Sequence, residues 1–135
     1  MPSFRLPGWL DRENASLLLD TRATDNFISL AMFRRLKRKP EDEKTVRFVT
    51  TATGHAIPSK GKIRVRVQLG TFVRRLPFLV ADISETAVLG MPFFRWAEPT
   101  FAWKARKVSL PTRNGVEWID ALPTTSGPCP TIPNQ

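Results

Sequence analysis

The sequence predicts a mainly β domain, on three observations. Residues 62–69 alternate basic or polar and apolar side chains with a period of two. Two short apolar runs, 15–19 and 86–89, have strand length and stop at Asp20 and Gly90. Only two stretches carry helix signals, and both are short.

The elements follow in order. Residues 1–13 hold two prolines, a glycine and mixed charges, and read as a lead-in or linker. Ala15-Ser16-Leu17-Leu18-Leu19 suits a buried strand better than a helix. Thr21 to Asn26 is polar and turn-like. Ser29 is placed to cap a helix carrying Leu30, Met32, Phe33 and Leu36, which Pro40 stops. Its end is basic, with Arg34, Arg35, Lys37, Arg38 and Lys39, and positive charge there complements the helix dipole. From Lys44 the period changes to two, and Thr53-Gly54-His55 is a turn candidate. Lys62 to Leu69 is the clearest strand, with Ile63, Val65, Val67 and Leu69 on one face and Lys62, Arg64 and Arg66 on the other. Gly70-Thr71 turns the chain into a strand from Phe72 to Val80. Thr86 to Leu89 is a further strand, and Pro92 fits the first turn of a helix through Phe93, Phe94 and Trp96. Phe101–Trp103 and Lys107–Leu110 are expected to form a last hairpin. The domain is expected over residues 14–110, and 111–135 reads as a Pro-rich, partly disordered tail.

Composition narrows the class of function. At 135 residues the chain has room for one domain with a modest core. Its net charge of +9 favours contact with polyanions or acidic partners and says nothing about fold. The single cysteine, Cys129, cannot form an internal disulfide, which fits an intracellular setting, cytoplasmic or nuclear. Residues 1–11 lack a continuous apolar core, so no signal peptide is expected, and no run is long enough to span a bilayer. One histidine and one cysteine cannot make an ordinary zinc site, and no phosphate-binding loop or Gly-x-Ser-x-Gly elbow occurs, so neither metal nor cofactor is expected.

The informative constellation is Leu17-Leu18-Leu19-Asp20-Thr21-Arg22-Ala23-Thr24. It puts a carboxylate where a buried strand breaks into a turn. Taken alone, such an Asp is more often a plain strand-end turn than a catalytic group. The segment resembles the aspartic protease signature, apolar-apolar-Asp-Thr/Ser-Gly-Ala-Thr, and Asn26-Phe27-Ile28-Ser29 continues it. A second stretch, Ala87-Val88-Leu89-Gly90-Met91-Pro92-Phe93-Phe94, resembles the apolar-apolar-Gly motif and helix of the same family. Thr51-Ala52-Thr53-Gly54-His55 resembles the flap tip, and Pro99 to Lys104 the strand after the helix. The similarity runs from about Ala15 to Leu110 and is greatest to the retropepsin-like proteases of gypsy-type retrotransposon polyproteins.

The resemblance implies a retropepsin-like closed β-barrel that is half of an enzyme. Each chain would supply one catalytic Asp20 to a homodimer acting on a peptide or polyprotein substrate, because two carboxylates sharing a proton provide base and acid together. Thr21 would hold the two catalytic loops together. Ala23 belongs to the same loop, Leu89 and Gly90 would pack beneath it, and Thr53, Gly54 and His55 would cover substrate. One position departs from the signature: Arg22 stands where the family has Gly. An arginine there adds bulk and charge, can ion-pair with Asp20, and would impair proton sharing. The alternative to a peptidase is therefore a silent module serving dimerisation or polyanion binding. The cluster of Arg34, Arg35, Lys37, Arg38 and Lys39 is a candidate RNA contact, with a solvated helix end as the plainer reading. The Arg64/Arg66 stripe adds to the basic field, but no aromatic interleaves it as a stacking platform would require.

Overall fold

A computed structural model describes residues 4–41, 48–50 and 56–123. Its first element is a hairpin. Strand β1 (Phe4–Leu10) pairs antiparallel with β2 (Glu13–Leu19) along its whole length. Phe4, Leu6 and Leu10 alternate inward and are buried, as are Leu17 and Leu19 opposite. Burying such a side chain is worth about 1.5–3 kcal/mol, which is what orders the hairpin. The stretch 1–13 therefore does more than lead in: from Phe4 onward it is a strand of the barrel. Arg5 on its outer face forms a two-point ion pair with Glu85 (2.6 and 3.1 Å), and that bond holds the guanidinium pKa up.

Strand β3 (Phe27–Ser29) runs into helix α1 (Leu30–Leu36). The Ser29 hydroxyl accepts a hydrogen bond from the Met32 N–H at 3.0 Å, as an N-cap does. Lys37, in the left-handed region, closes the helix before Pro40 is reached. Strands β4 (Phe48–Thr50) and β5 (Ala56–Pro58) pair antiparallel. Then come β6 (Lys62–Leu69), β7 (Phe72–Ala81), β8 (Ala87–Leu89), α2 (Met91–Ala97), β9 (Thr100–Ala102), β10 (Lys107–Thr112) and β11 (Gly115–Asp120).

Six strands close into a barrel in the order β1-β2-β8-β3-β7-β6, with β6 returning to β1. Most pairs are antiparallel. Two are parallel, β2 with β8 and β3 with β7. Ile63, Val65, Val67 and Leu69 point into the barrel and are fully buried. Phe72, Phe78 and Phe93 fill the space beside them.

The stretch after Leu110 differs from its expected decay into a tail. β10 continues to Thr112 and β11 pairs with it, in a separate sheet ordered β11-β10-β9. The turn at Gly115 adopts φ +122, which favours glycine, and Ile119 is buried against the core. Glu117 bonds the β6–β7 turn by accepting from both the N–H and the hydroxyl of Thr71. Cys129 lies outside the described residues.

Candidate active site

Parallel pairing of β2 with β8 sets Leu17 against Ala87, Leu18 against Val88 and Leu19 against Leu89. Both strands end together, so Asp20 and Gly90 emerge at one point. The Asp20 N–H donates to the buried Leu89 carbonyl at 3.1 Å. The chain then turns tightly, and the Ala23 N–H donates to the Asp20 carbonyl at 3.1 Å. Asp20 is half-buried, Thr21 and Arg22 are exposed, and Ala23 is buried.

The Arg22 N–H donates to Asp20 Oδ1 at 2.9 Å. A carboxylate is thus held by the backbone of the residue two positions on, at the position where the signature has glycine. Among the described residues, Asp11, Lys37, Glu98 and Arg106 are the non-glycine residues with positive φ. Arg22 is not one of them, so its backbone does not need glycine's freedom. The expected ion pair between Arg22 and Asp20 does not form: among the described residues Arg22 makes none. The carboxylate is bound by the Arg22 backbone, while the guanidinium stands in solvent.

Gly90 is tied to the loop from the other side. A Cβ there would fall 2.7 Å from the Ala23 carbonyl oxygen and press on the Asp25 carbonyl as well. Only glycine fits this crossing. The Met91 N–H, just after it, donates to the Ala23 carbonyl at 2.9 Å.

Asn26 was not singled out as a site residue by sequence reasoning. Its side chain is 1% exposed. Oδ1 accepts from the Gly90 N–H at 2.8 Å, and Nδ2 donates to the Pro77 carbonyl at 3.0 Å. The Asn26 carbonyl also accepts from the Leu79 N–H at 2.9 Å. One buried amide thereby joins the Asp20 loop, the end of β8 and strand β7. A polar residue in a turn-like stretch gives no sign of this, because its partners lie 64 and 51 residues away.

The predicted residues Asp20, Thr21, Arg22, Ala23, Leu89 and Gly90 thus converge. Thr53, Gly54 and His55 lie outside the described residues, between the paired strands β4 and β5 in the chain. Among the described residues, no group of three or more His, Cys, Asp or Glu could hold a metal ion, and no helix is long and apolar enough to cross a membrane.

A closed barrel with an Asp-Thr loop braced by an apolar-Gly strand end defines a retropepsin-like aspartic protease domain. The chain belongs to the aspartyl protease family, whose model matches residues 6–93. Solved structures share the fold, among them three retropepsin-like domains. The retroviral protease-like domain of Ddi1 from Leishmania major is 14% identical, with TM-score 0.74 over 94% of this chain and 99% of that one. The EIAV protease, solved with an inhibitor, is 19% identical, with TM-score 0.58 over 70% of this chain and 86% of that one. A retropepsin-like aspartic protease from Rickettsia conorii is 19% identical, with TM-score 0.55 over 69% and 78%. No curated protein matches the sequence.

Proposed function

We propose that the chain is one half of a homodimeric aspartic endopeptidase that processes an intracellular polyprotein of the gypsy-type retrotransposon kind, with Asp20 as its catalytic residue and activity lowered by Arg22. The observation that carries this reading is the 2.9 Å bond from the Arg22 N–H to Asp20 Oδ1. The loop keeps the backbone donor that the chemistry needs, whatever the side chain. Two copies are required because the chain offers one Asp-Thr motif on a strand end: Asp11 lies in the β1–β2 turn at the opposite end of β2. In the dimer, one Asp20 carboxylate takes a proton from water as it attacks the peptide carbonyl. The other Asp20, protonated, donates to the leaving amine. Thr21, exposed in the single chain, would meet its counterpart across the two-fold axis of that dimer.

The side chain of Arg22 acts differently from a broken loop. It brings two like charges together at the axis and crowds the space above the carboxylates. The test is a peptidase assay in the acid range on the natural chain, Arg22→Gly and Asp20→Asn, with pepstatin as probe. Sedimentation at high micromolar concentration reads assembly. Cleavage is expected to depend on Asp20 and to rise at least tenfold in Arg22→Gly. An Arg22→Gly protein that folds and dimerises yet cleaves nothing across a broad peptide library would leave a non-enzymatic module instead.

A further inference from the structure

The strongest feature outside the catalytic loop is a basic groove at the other end of β2. It encloses about 840 Å³ and is lined by Arg12, Arg35, Lys37, Arg66 and Arg75. These cations come from the β1–β2 turn, the end of α1, β6 and β7. Two carboxylates share the groove, and both are engaged. Glu13 pairs with Arg35 at 2.8 Å. Asp11 pairs with Arg38 at 3.1 Å and accepts from the Arg66 N–H at 3.1 Å. Among the described residues, Arg12, Lys37, Arg66 and Arg75 have no carboxylate partner.

The barrel register makes the groove costly for the isolated chain. Arg66 stands directly opposite Arg75 on the outer face of β6 and β7. Like charges at directly opposite positions destabilise a sheet. The same register supplies what the linear sequence lacks. Trp9 is paired with Gln68, one outward position from Arg66, and Gln68 is paired in turn with Val73. Trp9 is 41% exposed and Val73 44%. An aromatic therefore lies beside the arginine row, on a neighbouring strand where no reading along one strand would find it.

We infer that this face binds a single-stranded nucleic acid, its phosphates along Arg12, Lys37, Arg66 and Arg75 and a base stacked on Trp9. A basic track with an aromatic platform is the chemistry that single strands require. The basic cluster at the end of α1 contributes only in part, because Arg38 and Arg35 are held by Asp11 and Glu13. The groove lies a β2 length from Asp20, about 20 Å at the usual strand rise, so both sites can be occupied at once.

The test is fluorescence anisotropy of the full chain with a labelled single-stranded oligonucleotide between 50 and 200 mM salt, with duplex and anionic vesicles alongside. Four phosphate contacts predict a log–log salt slope of about −3 for a single strand. Arg66→Gln with Arg75→Gln is expected to weaken binding at least tenfold and to flatten the slope by about 1.4. Lys104→Gln with Arg113→Gln, an equal loss of charge in the turns of the β9–β10–β11 sheet, is expected to change it less than twofold. Trp9→Ala is expected to cost about tenfold, the scale of one base–aromatic stack, with Trp9→Phe largely restoring it. The inference is overturned if the two double variants weaken binding equally, if nothing binds at 50 mM salt, if duplex binds as well and Trp9→Ala is silent, or if only vesicles bind. None of these readouts uses peptidase activity, so this site and the proposed enzyme stand or fall separately.

Discussion

Replacing Asn26 by alanine removes the one side chain that joins three parts of the site. Two backbone groups lose their partner: the Gly90 N–H, bonded at 2.8 Å, and the Pro77 carbonyl, bonded at 3.0 Å. The first is buried and has no other bond to form. A buried polar group left unpaired costs about 1–3 kcal/mol, and the part-buried carbonyl costs less because water can reach it. The expected loss is about 2–4 kcal/mol, large against the 5–15 kcal/mol of an ordinary domain. Urea unfolding at fixed protein concentration measures it as a lower midpoint with unchanged slope. Amide exchange at Gly90 should accelerate more than at Val65, which lies in β6 away from the clamp. Asn26→Asp separates the two bonds. It keeps the acceptor for Gly90, loses the donor to Pro77, and puts a charge in a site 1% exposed. Its destabilisation should therefore ease as pH falls and the carboxyl takes up a proton. An Asn26→Ala protein within about 1 kcal/mol of the natural chain would refute the clamp, since that is the low end for a single unpaired buried group.

Two further outcomes follow from the contacts around the site. Gly90→Ala forces a Cβ to 2.7 Å from the Ala23 carbonyl oxygen, with backbone on both sides that cannot turn aside; thermal unfolding should show a loss of about 2–3 kcal/mol, the upper range for overpacking, and the displaced loop should abolish any Asp20-dependent cleavage. The bonds from the Thr71 hydroxyl, first, and the Thr71 N–H, second, hold the Glu117 carboxyl below the usual carboxylate range. A depressed folded value means that its stabilisation is present above the unfolded value and is lost as pH falls through the folded one. The Tm gap between the natural chain and Glu117→Gln should thus be open at pH 7 and shrink as the pH falls below the usual carboxylate range; a gap that does not shrink in acid would show that the carboxylate charge does not hold the tether.

How far the fold could be read depended on whether burial and chain order agreed. In β6 they did: four inward residues are fully buried and three outward ones are basic, so the period of two stood out. Ser29 and Pro92 marked their helices because each acts on its own first turn. β1 was harder, since Pro7 and Gly8 interrupt an otherwise regular Phe4, Leu6, Leu10 alternation. Gly8 is there because a Cβ would lie 2.6 Å from a Leu69 side-chain carbon, a reason supplied by the β6 strand that closes the barrel. β11 defeated the pattern, because Val116 and Trp118 face solvent at 66% and 48% while Ile119 alone is buried. The Asp20 loop was legible as a motif. Asn26 was not, because its meaning depends on the parallel pairing of β2 with β8.

Arg22 shows what a motif comparison leaves open. A glycine in a signature can mean that the backbone needs a left-handed conformation, or that a side chain would obstruct something outside the loop. These causes have different consequences. A backbone that needs glycine would be strained by arginine in the single chain, and the turn around Asp20 would deform. Here φ at Arg22 is ordinary, the Asp20–Ala23 turn closes, and the N–H reaches the carboxylate at 2.9 Å. The cause that remains is external: an exposed guanidinium where, in the dimer proposed above, a second copy and a substrate would approach. In that proposed dimer such an obstruction would spare the fold of each half and act only when the halves meet. It would therefore be the kind of defect that one substitution relieves, because nothing in the loop beneath has to be rebuilt.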